Sequence, residues 1–216
     1  MIAGADTYDM LGKSDYERRP RAPSPFDALI DLLPETEATD QMKPWCVETD
    51  KPVTDLTHGM QVAVMHASHA KHRRVFFIGN GGSAGIASHM ALDWAKAGGF
   101  KAQCFNEAAS LTAWGNDVGF DAVFAKPLEL HGARGDLLFA ISSSGMSADI
   151  LAAATKAKDM GMTVVTLSGF SPSNRLRQMG DLNFYVPSDR YGLVEVAHHA
   201  VLHAILDEVM ARGAGT

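Results

Sequence analysis

From Arg74 onward, short apolar runs of strand length alternate with longer segments whose apolar residues recur at helical spacing. Strands that alternate with helices build βαβ units, in which each helix crosses back over a parallel sheet. The pattern therefore predicts an α/β domain with helices on both faces of a parallel sheet. The predicted strands are Val75–Ile78, Ala102–Phe105, Leu137–Ile141, Val164–Leu167 and Leu182–Val186, and the predicted helices are Ser83–Lys96, Phe120–Leu130, Ser147–Met160 and Leu193–Ala211.

The part of the chain before this alternation divides into an arm and a helical region. Residues 1–25 are polar and contain prolines at positions 20, 23 and 25, so we expect a mobile arm or one that a partner subunit orders. Residues 26–216 are expected to form a single domain, with N-terminal helices in 26–72 and the sheet in 73–216. Within it, prolines and charges between positions 35 and 54 predict loop with short helical pieces.

Charge and composition argue against several classes of partner. The chain carries a formal net charge of -6, whereas a nucleic-acid or membrane surface needs a basic patch, so we expect neither partner. No apolar run reaches membrane-spanning length, and the N-terminal residues lack the apolar stretch of a secretory signal. Cys46 and Cys104 lie far apart and form no CxxC pair, so free thiols in a reducing, cytoplasmic compartment are expected.

Two turns rich in glycine and serine each follow a predicted strand and open a predicted helix: Gly79–Ser83 and Ser142–Ser147. Glycines let backbone amides approach a ligand closely, and a helix N-terminus offers free N–H groups and a partial positive charge. Serine hydroxyls add neutral donors for phosphate oxygens. Glycine and serine are also ordinary turn and cap residues, so either turn alone is ambiguous. Together, at the carboxyl ends of parallel strands, they predict a phosphate site.

Three segments, GNGGSAGIASHMALD, AWGNDVGF and GDLLFAISSSGMSADIL, carry a resemblance to a known family. In them the chain resembles the sugar isomerase (SIS) domain family, above all its phosphoheptose isomerase branch. The resemblance extends from Val53 to the C-terminus. It implies a three-layer, flavodoxin-like, doubly wound fold with a five-stranded parallel sheet between helices. It also implies an aldose–ketose isomerase that interconverts sedoheptulose 7-phosphate and D-glycero-D-manno-heptose 7-phosphate through a cis-enediol intermediate.

The same resemblance implies an assembly, a cofactor and a set of substrate contacts. Proteins of this branch are homotetramers with active sites between subunits that often contain zinc, so a tetramer and Zn²⁺ or another divalent metal are expected. By position, five serines contact the phosphate group, two polar residues contact the sugar, and two glycines complete the first turn. These residues are Ser83, Ser142, Ser143, Ser144 and Ser147, then Asn80 and Asp117, then Gly81 and Gly82.

Four residues fall on the metal and catalytic positions of the family: His89, Asp93, Glu195 and His203. His89 and Asp93 lie four residues apart and share one face of a helix, and two imidazoles with two carboxylates suit Zn²⁺. Glu195 and His203 lie eight residues apart, about 12 Å along a helix axis. We therefore expect copies of this last helix from different subunits to contribute to one site. His198 and His199 are expected at the surface or at an interface rather than as ligands.

Isomerisation needs a base near one carbon and an acid, or a metal, at the carbonyl oxygen. We expect Asp93 or Glu195 to be the base and His203 to be the acid. Asp93 stands where the family usually has glutamate, and Glu195 where it usually has glutamine. These departures leave two alternatives to a heptose enzyme: a non-catalytic SIS protein that binds a sugar phosphate or another protein, and an isomerase of a different phosphosugar.

Overall fold

The computed structural model describes residues 72–213, Ala67 and the strand residues 46–48 and 52–53. Among these residues, seven strands form one sheet. The strands are β1 (Cys46–Glu48), β2 (Pro52–Val53), β3 (Arg74–Gly79), β4 (Lys101–Cys104), β5 (Leu137–Ser142), β6 (Thr163–Ser168) and β7 (Leu182–Tyr185). The helices are α1 (Gly82–Lys96), α2 (Ala108–Asp117), α3 (Ala125–His131), α4 (Ala148–Asp159) and α5 (Tyr191–Gly213), with 3₁₀ turns at Phe120–Ala122 and Leu176–Gln178. No described helix is both long and apolar enough to cross a membrane.

The order of strands across the sheet is β2-β1-β7-β6-β5-β3-β4. The pairs from β3 to β7 are all parallel, which confirms the predicted five-stranded parallel sheet and its doubly wound, flavodoxin-like order. The strand order reverses between β3 and β5, since the chain moves outward to β4 before it returns to β5. Open α/β sheets bind ligands at such a switch point, outside the carboxyl ends of the strands. Gly79 of β3 lies opposite Ile141 of β5, so both Gly/Ser turns begin there side by side.

The short strands β1 and β2 extend the sheet beyond the five predicted strands. β1 pairs antiparallel with β7, and β2 pairs antiparallel with β1. For these two segments the prediction of loop with helical pieces is wrong, because tertiary pairing decides their conformation. The outer N–H and C=O groups of β7 find strand partners in β1. The predicted arm, residues 1–25, lies outside the described residues. So does the predicted helical region 26–72, apart from strands β1 and β2, Ala67 and His72.

Two helical predictions also differ from the structure. The segment predicted as one helix, Phe120–Leu130, consists of a 3₁₀ turn followed by α3. Helix α2 is not predicted, because none of its residues is fully buried and only Leu111 and Trp114 pack against the core, which is a weak helical pattern. Its start is instead marked by the Glu107 side chain, which accepts a hydrogen bond from the Ser110 N–H.

The core lies on both faces of the sheet, because neighbouring residues of a strand point in opposite directions. Phe77 is fully buried on one face, in a cluster with Trp94 of α1 and Ile205 of α5. Phe76 is fully buried on the other face, in a cluster with Ile150 of α4. All six residues of the central strand β5 are buried, as expected for a strand covered on both sides. Helices α1 and α5 therefore share one face of the sheet, which matters for the site.

His198 fastens α5 to the end of β6. Its side chain is fully buried, and its Nε2 donates a hydrogen bond to the Ser168 carbonyl oxygen at 3.1 Å. Burial lowers the pKa of His198 from 6.5 to about 4, although the hydrogen bond to Ser168 acts in the opposite direction. The imidazole is therefore neutral at neutral pH and serves as a structural link rather than as a charged group.

This buried imidazole predicts a stability loss in mild acid. Between about pH 4 and 6.5, His198 binds a proton in the unfolded state but not in the folded state. The contribution of His198 to the free energy of unfolding is therefore complete above that window and is lost as the pH falls through it. The cost approaches about 1.4 kcal/mol per pH unit. The urea midpoint should fall between pH 7 and pH 5, and this fall should be smaller in His198→Gln than in the wild type. The exposed His72→Gln is the control, and an equal fall in all three proteins would contradict the prediction.

Candidate active site

One open pocket of about 240 Å³ lies at the switch point between β3 and β5. The two Gly/Ser turns form one side of it, and the first residues of α5, Tyr191 and Glu195, form another. The pocket therefore joins three separate parts of the chain at the carboxyl edge of the sheet. Eight of the nine predicted substrate contacts line it: Asn80, Gly81, Gly82, Ser83, Ser142, Ser143, Ser144 and Ser147.

Two helices begin at this pocket without a side-chain cap. The N-cap of α1 is Gly81, whose φ of 55° is a left-handed conformation that favours glycine. The N-cap of α4 is Ser147, whose Oγ lies 3.3 Å from the Oγ of Ser142 instead of bonding a backbone N–H of the helix. Both positive helix ends are thus open towards the pocket, an arrangement that favours an anion.

The hydroxyl of Ser143 provides independent evidence for a ligand. Its neighbours shape the turn: Ser142 Oγ accepts from the Gly145 N–H, and Ser144 Oγ accepts from the Met146 N–H, both at 3.2 Å. Ser143 is buried, and its Oγ has no hydrogen-bond partner among the described residues. Buried polar atoms are rarely left unpaired, so this hydroxyl in the pocket wall is available to a phosphate oxygen.

Asn80, in the first Gly/Ser turn, is held in place by helix α4, which follows the second Gly/Ser turn. Its Nδ2 donates to Asp149 Oδ2 at 2.8 Å, and Asp149 is buried in the first turn of α4. Burial raises the pKa of Asp149, while the hydrogen bond from Asn80 lowers it. This bond links the turn after β3 to the helix after β5. It therefore fixes the spacing between the two halves of the phosphate cradle.

The serine turn is supported from behind by Asn174. The Asn174 Nδ2 donates to Ser168 Oγ at 3.1 Å and to the carbonyl oxygens of Gly169 and Ser171 at 3.2 and 2.8 Å. Gly145 packs against this amide so closely that a Cβ at that position would overlap the Asn174 side chain. Gly145 also has a φ of 63°, so both space and backbone conformation require glycine there.

Glu195 reaches across the pocket to the first turn. Its carboxylate packs directly over Gly82, where a Cβ would collide with both carboxylate oxygens. Glycine at this position thus leaves the room that the Glu195 side chain occupies. The predicted metal ligand or base Glu195 accordingly lies in the phosphate pocket.

A cluster of three imidazoles forms where α1 and α5 pack together. One nitrogen each from His89, His199 and His203 lies within 4.8 Å of the others, and the Nε2 atoms of His199 and His203 are 3.1 Å apart. Asp93 borders the cluster, with its Oδ2 3.0 Å from His89 Nε2 and 3.9 Å from His203 Nδ1. We call these three histidines the histidine cluster.

A single chain therefore gathers the predicted residues His89, Asp93 and His203. These three meet because α1 and α5 lie side by side on one face of the sheet. The expectation that copies of the last helix from different subunits bring Glu195 and His203 to one site stays a prediction.

The expectation of a surface or interface position is wrong for His198, which is fully buried. His199 is half-buried, and its ring contacts both other rings. Glu195 lies outside the histidine cluster, and His199, one helical turn further along α5, lies within it.

Electrostatics within the cluster favour a neutral imidazole at His199. Burial lowers the pKa of His199, and the neighbouring His203 and His89 lower it further. Asp207, one turn beyond His203, has a pKa that burial raises, while His203 lowers it. A neutral imidazole with a free ring nitrogen is the form that binds metal ions. The donor set of imidazoles and carboxylates also suits Zn²⁺ or a similar divalent ion.

The ninth predicted substrate contact, Asp117, lies away from the pocket. It is the exposed last residue of α2, and its Oδ1 accepts a hydrogen bond from Asn116 at 2.7 Å. Helix α2 follows the edge strand β4, whereas the pocket lies between β3 and β5. Within this chain, Asp117 is therefore not among the residues that line the phosphate cradle.

Three residues of the site are not singled out by the sequence pattern, Asp149, Asn174 and Tyr191, and a fourth, His199, is noted there but not as a ligand. His199 carried a usable signal, since it lies midway between Glu195 and His203 at helical spacing. An acidic residue in the first turn of a helix is normally a dipole effect, so Asp149 gives no hint of its bond to Asn80. Asn174 has no local signal, because its partners come from β6 and the loop after it.

The chain matches the SIS domain model over residues 59–169. Among curated relatives, phosphoheptose isomerase from Mycobacterium tuberculosis (strain ATCC 25177 / H37Ra) is 40% identical over 142 residues, which cover 63% of this chain and 72% of that protein. Phosphoheptose isomerase from Bradyrhizobium sp. (strain BTAi1 / ATCC BAA-1182) is 39% identical over 150 residues, which cover 64% and 73%. The solved structure of phosphoheptose isomerase GmhA from Neisseria gonorrhoeae superposes with a TM-score of 0.65 at 32% identity, covering 71% of this chain and 85% of that one.

Removing the unpartnered hydroxyl should weaken ligand binding without a stability cost. Ser143→Ala should bind sedoheptulose 7-phosphate roughly 10- to 100-fold more weakly, since a hydrogen bond to a charged group contributes about 1.5–3 kcal/mol. Its melting temperature should stay at or above that of the wild type, because the lost hydroxyl bonds nothing else described. Calorimetric titration and thermal unfolding measure both effects, with Ser110→Ala on α2 as control. Unchanged affinity would remove Ser143 from the cradle.

The contact between Gly145 and Asn174 predicts a difference between two glycine variants. Gly145→Ala should cost backbone strain plus the displacement of Asn174, whereas Gly99→Ala has a similar φ of 68° but open space at its Cβ. Strain alone costs about 1–2 kcal/mol, so the loss in Gly145→Ala should clearly exceed that in Gly99→Ala. Urea unfolding measures the difference. Equal losses would show that the Asn174 contact does not constrain the turn.

Proposed function

Because the chain belongs to the SIS domain family, in its phosphoheptose isomerase branch, we propose that it interconverts sedoheptulose 7-phosphate and D-glycero-D-manno-heptose 7-phosphate. The observation that carries this proposal is the set of chemical groups that line one pocket. Two open helix ends and the free Ser143 hydroxyl provide for a phosphate group, and the carboxylate of Glu195 lies in the same pocket. An aldose–ketose isomerase needs both features within the length of one sugar phosphate.

The reaction exchanges a proton between neighbouring carbons. A base removes the C1 proton of the ketose to give a cis-enediol and returns it to C2, while the hydroxyl proton moves from O1 to O2. Glu195 is better placed for this role than Asp93, because Glu195 lines the pocket and Asp93 is bonded to His89 at the histidine cluster. We therefore assign the base to Glu195.

We also propose a divalent metal ion, Zn²⁺ or a similar ion, at the histidine cluster. The support is the donor set: three imidazoles whose nitrogens lie within 4.8 Å of one another, bordered by a carboxylate. When bound, such an ion supplies polarisation of the substrate carbonyl oxygen. Both ring nitrogens of His203 face cluster members, Nε2 towards His199 and Nδ1 towards Asp93. This favours a ligand role for His203 over the predicted role as general acid.

We propose further that the chain forms a homo-oligomer, a tetramer by the family resemblance, in the cytoplasm. Exposed apolar side chains on α1 and α5, among them Leu92, Leu193 and Val196, support an interface beside the histidine cluster. The half-buried, free thiol of Cys104 agrees with a reducing compartment.

The assignment of the base predicts a clean loss of proton exchange. Glu195→Gln keeps the shape of the side chain but removes its basicity, so isomerisation should fall by about 10²–10⁴-fold with substrate binding retained. Solvent deuterium entering C1 or C2 of the sugar phosphate measures the reaction, and calorimetry measures binding. Glu208→Gln, on the same helix but paired with Arg212, is the matched control.

Two outcomes would overturn parts of this proposal. Full exchange in Glu195→Gln together with loss in Asp93→Asn would transfer the role of base to Asp93. Binding without exchange by the wild type, with or without chelator and across a panel of ketose and aldose phosphates, would show a non-catalytic sugar-phosphate-binding protein. Exchange with a different sugar phosphate only would retain the enzyme and change its substrate.

A further inference from the structure

We propose that the metal ion is held by three histidines, His89, His199 and His203, and that neither Glu195 nor Asp93 is a ligand. The inference rests on the proposed function only in assuming a divalent ion at the histidine cluster. It assigns His199 as the third ligand. His199 lies one turn further along α5 than Glu195, whose carboxylate lies in the pocket. It also separates the residue that moves protons from the residues that hold the metal.

Distances within the cluster support the three-histidine set. Nitrogen ligands of a tetrahedral zinc ion lie at about 2.0–2.1 Å from it, and hence about 3.3 Å from one another. The Nε2 atoms of His199 and His203 are already 3.1 Å apart, and a His89 nitrogen lies within 4.8 Å of both. Small side-chain rotations would bring the three to ligand spacing. His89 is exposed and the other two are half-buried, so a cation could reach them.

Asp93 is better placed to orient a ligand than to be one. Its Oδ2 lies 3.0 Å from His89 Nε2, which leaves the other ring nitrogen, Nδ1, for an ion. A carboxylate that accepts from the far nitrogen of a metal-bound imidazole fixes the ring and raises its basicity. Asp93 is thus a positioning residue. The shorter aspartate side chain suffices here because it has only to reach a histidine four residues away on the same helix.

Glu195 is kept from the cluster by its position over Gly82. Three protein ligands leave the fourth position of a tetrahedral ion open, as in zinc sites where water or substrate binds. A substrate oxygen could therefore enter the coordination sphere while Glu195 remains a free carboxylate in the pocket. A four-ligand set that included Glu195 would remove the base from the pocket and close the open position.

Cobalt binding tests the ligand set without any reference to activity. The full-length protein, stripped of metal by a chelator, is titrated with Co²⁺ and followed by the visible bands of four- or five-coordinate cobalt, and Zn²⁺ competition then gives its affinity. Wild type and Glu195→Gln should give the same spectrum and affinity. Asp93→Asn should keep the spectrum with about 10- to 100-fold weaker binding, as expected for a residue that orients a ligand. His199→Ala should bind Co²⁺ more than about 100-fold more weakly and should change the spectrum.

Controls keep each outcome interpretable. His199→Gln serves if His199→Ala does not fold, and the exposed His72→Ala measures unspecific histidine binding. Unchanged affinity in the His199 variants, or a changed spectrum in Glu195→Gln, would overturn the three-histidine set. Failure of the wild type to bind Co²⁺ or Zn²⁺ would also overturn it. In that case, undiminished deuterium exchange in the presence of chelator would leave the proposed isomerase intact.

Discussion

The pairing of β3 with β5 is the constraint on which the site depends. This pairing skips β4 and so creates the reversal of strand order at which the carboxyl edge of the sheet opens. It places Gly79 opposite Ile141, and therefore sets the two Gly/Ser turns side by side. The bond from Asn80 to Asp149 then ties the turns together across the gap. The proposed phosphate cradle of helix ends and serines follows from the sheet topology, and Asn174 from the loop after β6 supports it from behind.

Helix α5 supplies the remaining chemistry, and its position depends on the same sheet. His198 faces inward and bonds the carbonyl of Ser168 at the end of β6, which orients the helix. With that side fixed, Glu195 reaches the pocket, whereas His199 and His203 meet His89 on α1. Side chains spaced four residues apart along one helix thus serve two different neighbours. The proposed division of roles between proton transfer and metal binding comes from which neighbour each turn of α5 meets.

The fold and the meeting of the two Gly/Ser turns in one pocket could be predicted from the sequence because their signals are local. Alternating apolar runs specify strands and helices, and the turns at Gly79–Ser83 and Ser142–Ser147 are each marked by five or six consecutive residues. The histidine cluster is different, because His89 and His199 meet only when two helices distant in sequence pack on one face. Asn174 and strand β1 are further examples, since their partners at Gly145 and β7 are set by tertiary structure alone.

The pocket must also hold two negative groups at once, a phosphate and the carboxylate of Glu195. Among the described residues that line it, none is lysine or arginine, so these side chains do not supply the balancing charge. The two open helix ends supply it instead, each equivalent to about half a positive charge, through amide groups that cannot be titrated. Neither N-cap residue, Gly81 or Ser147, bonds the helix amides with its own side chain, so these residues leave donors for a phosphate. The carboxylate of Asp149, in the first turn of α4, accepts a hydrogen bond from Asn80 instead of capping from the Ser147 position. The amide donors thus serve the phosphate and leave the carboxylate of Glu195, on the other side of the pocket, for the proposed role as base.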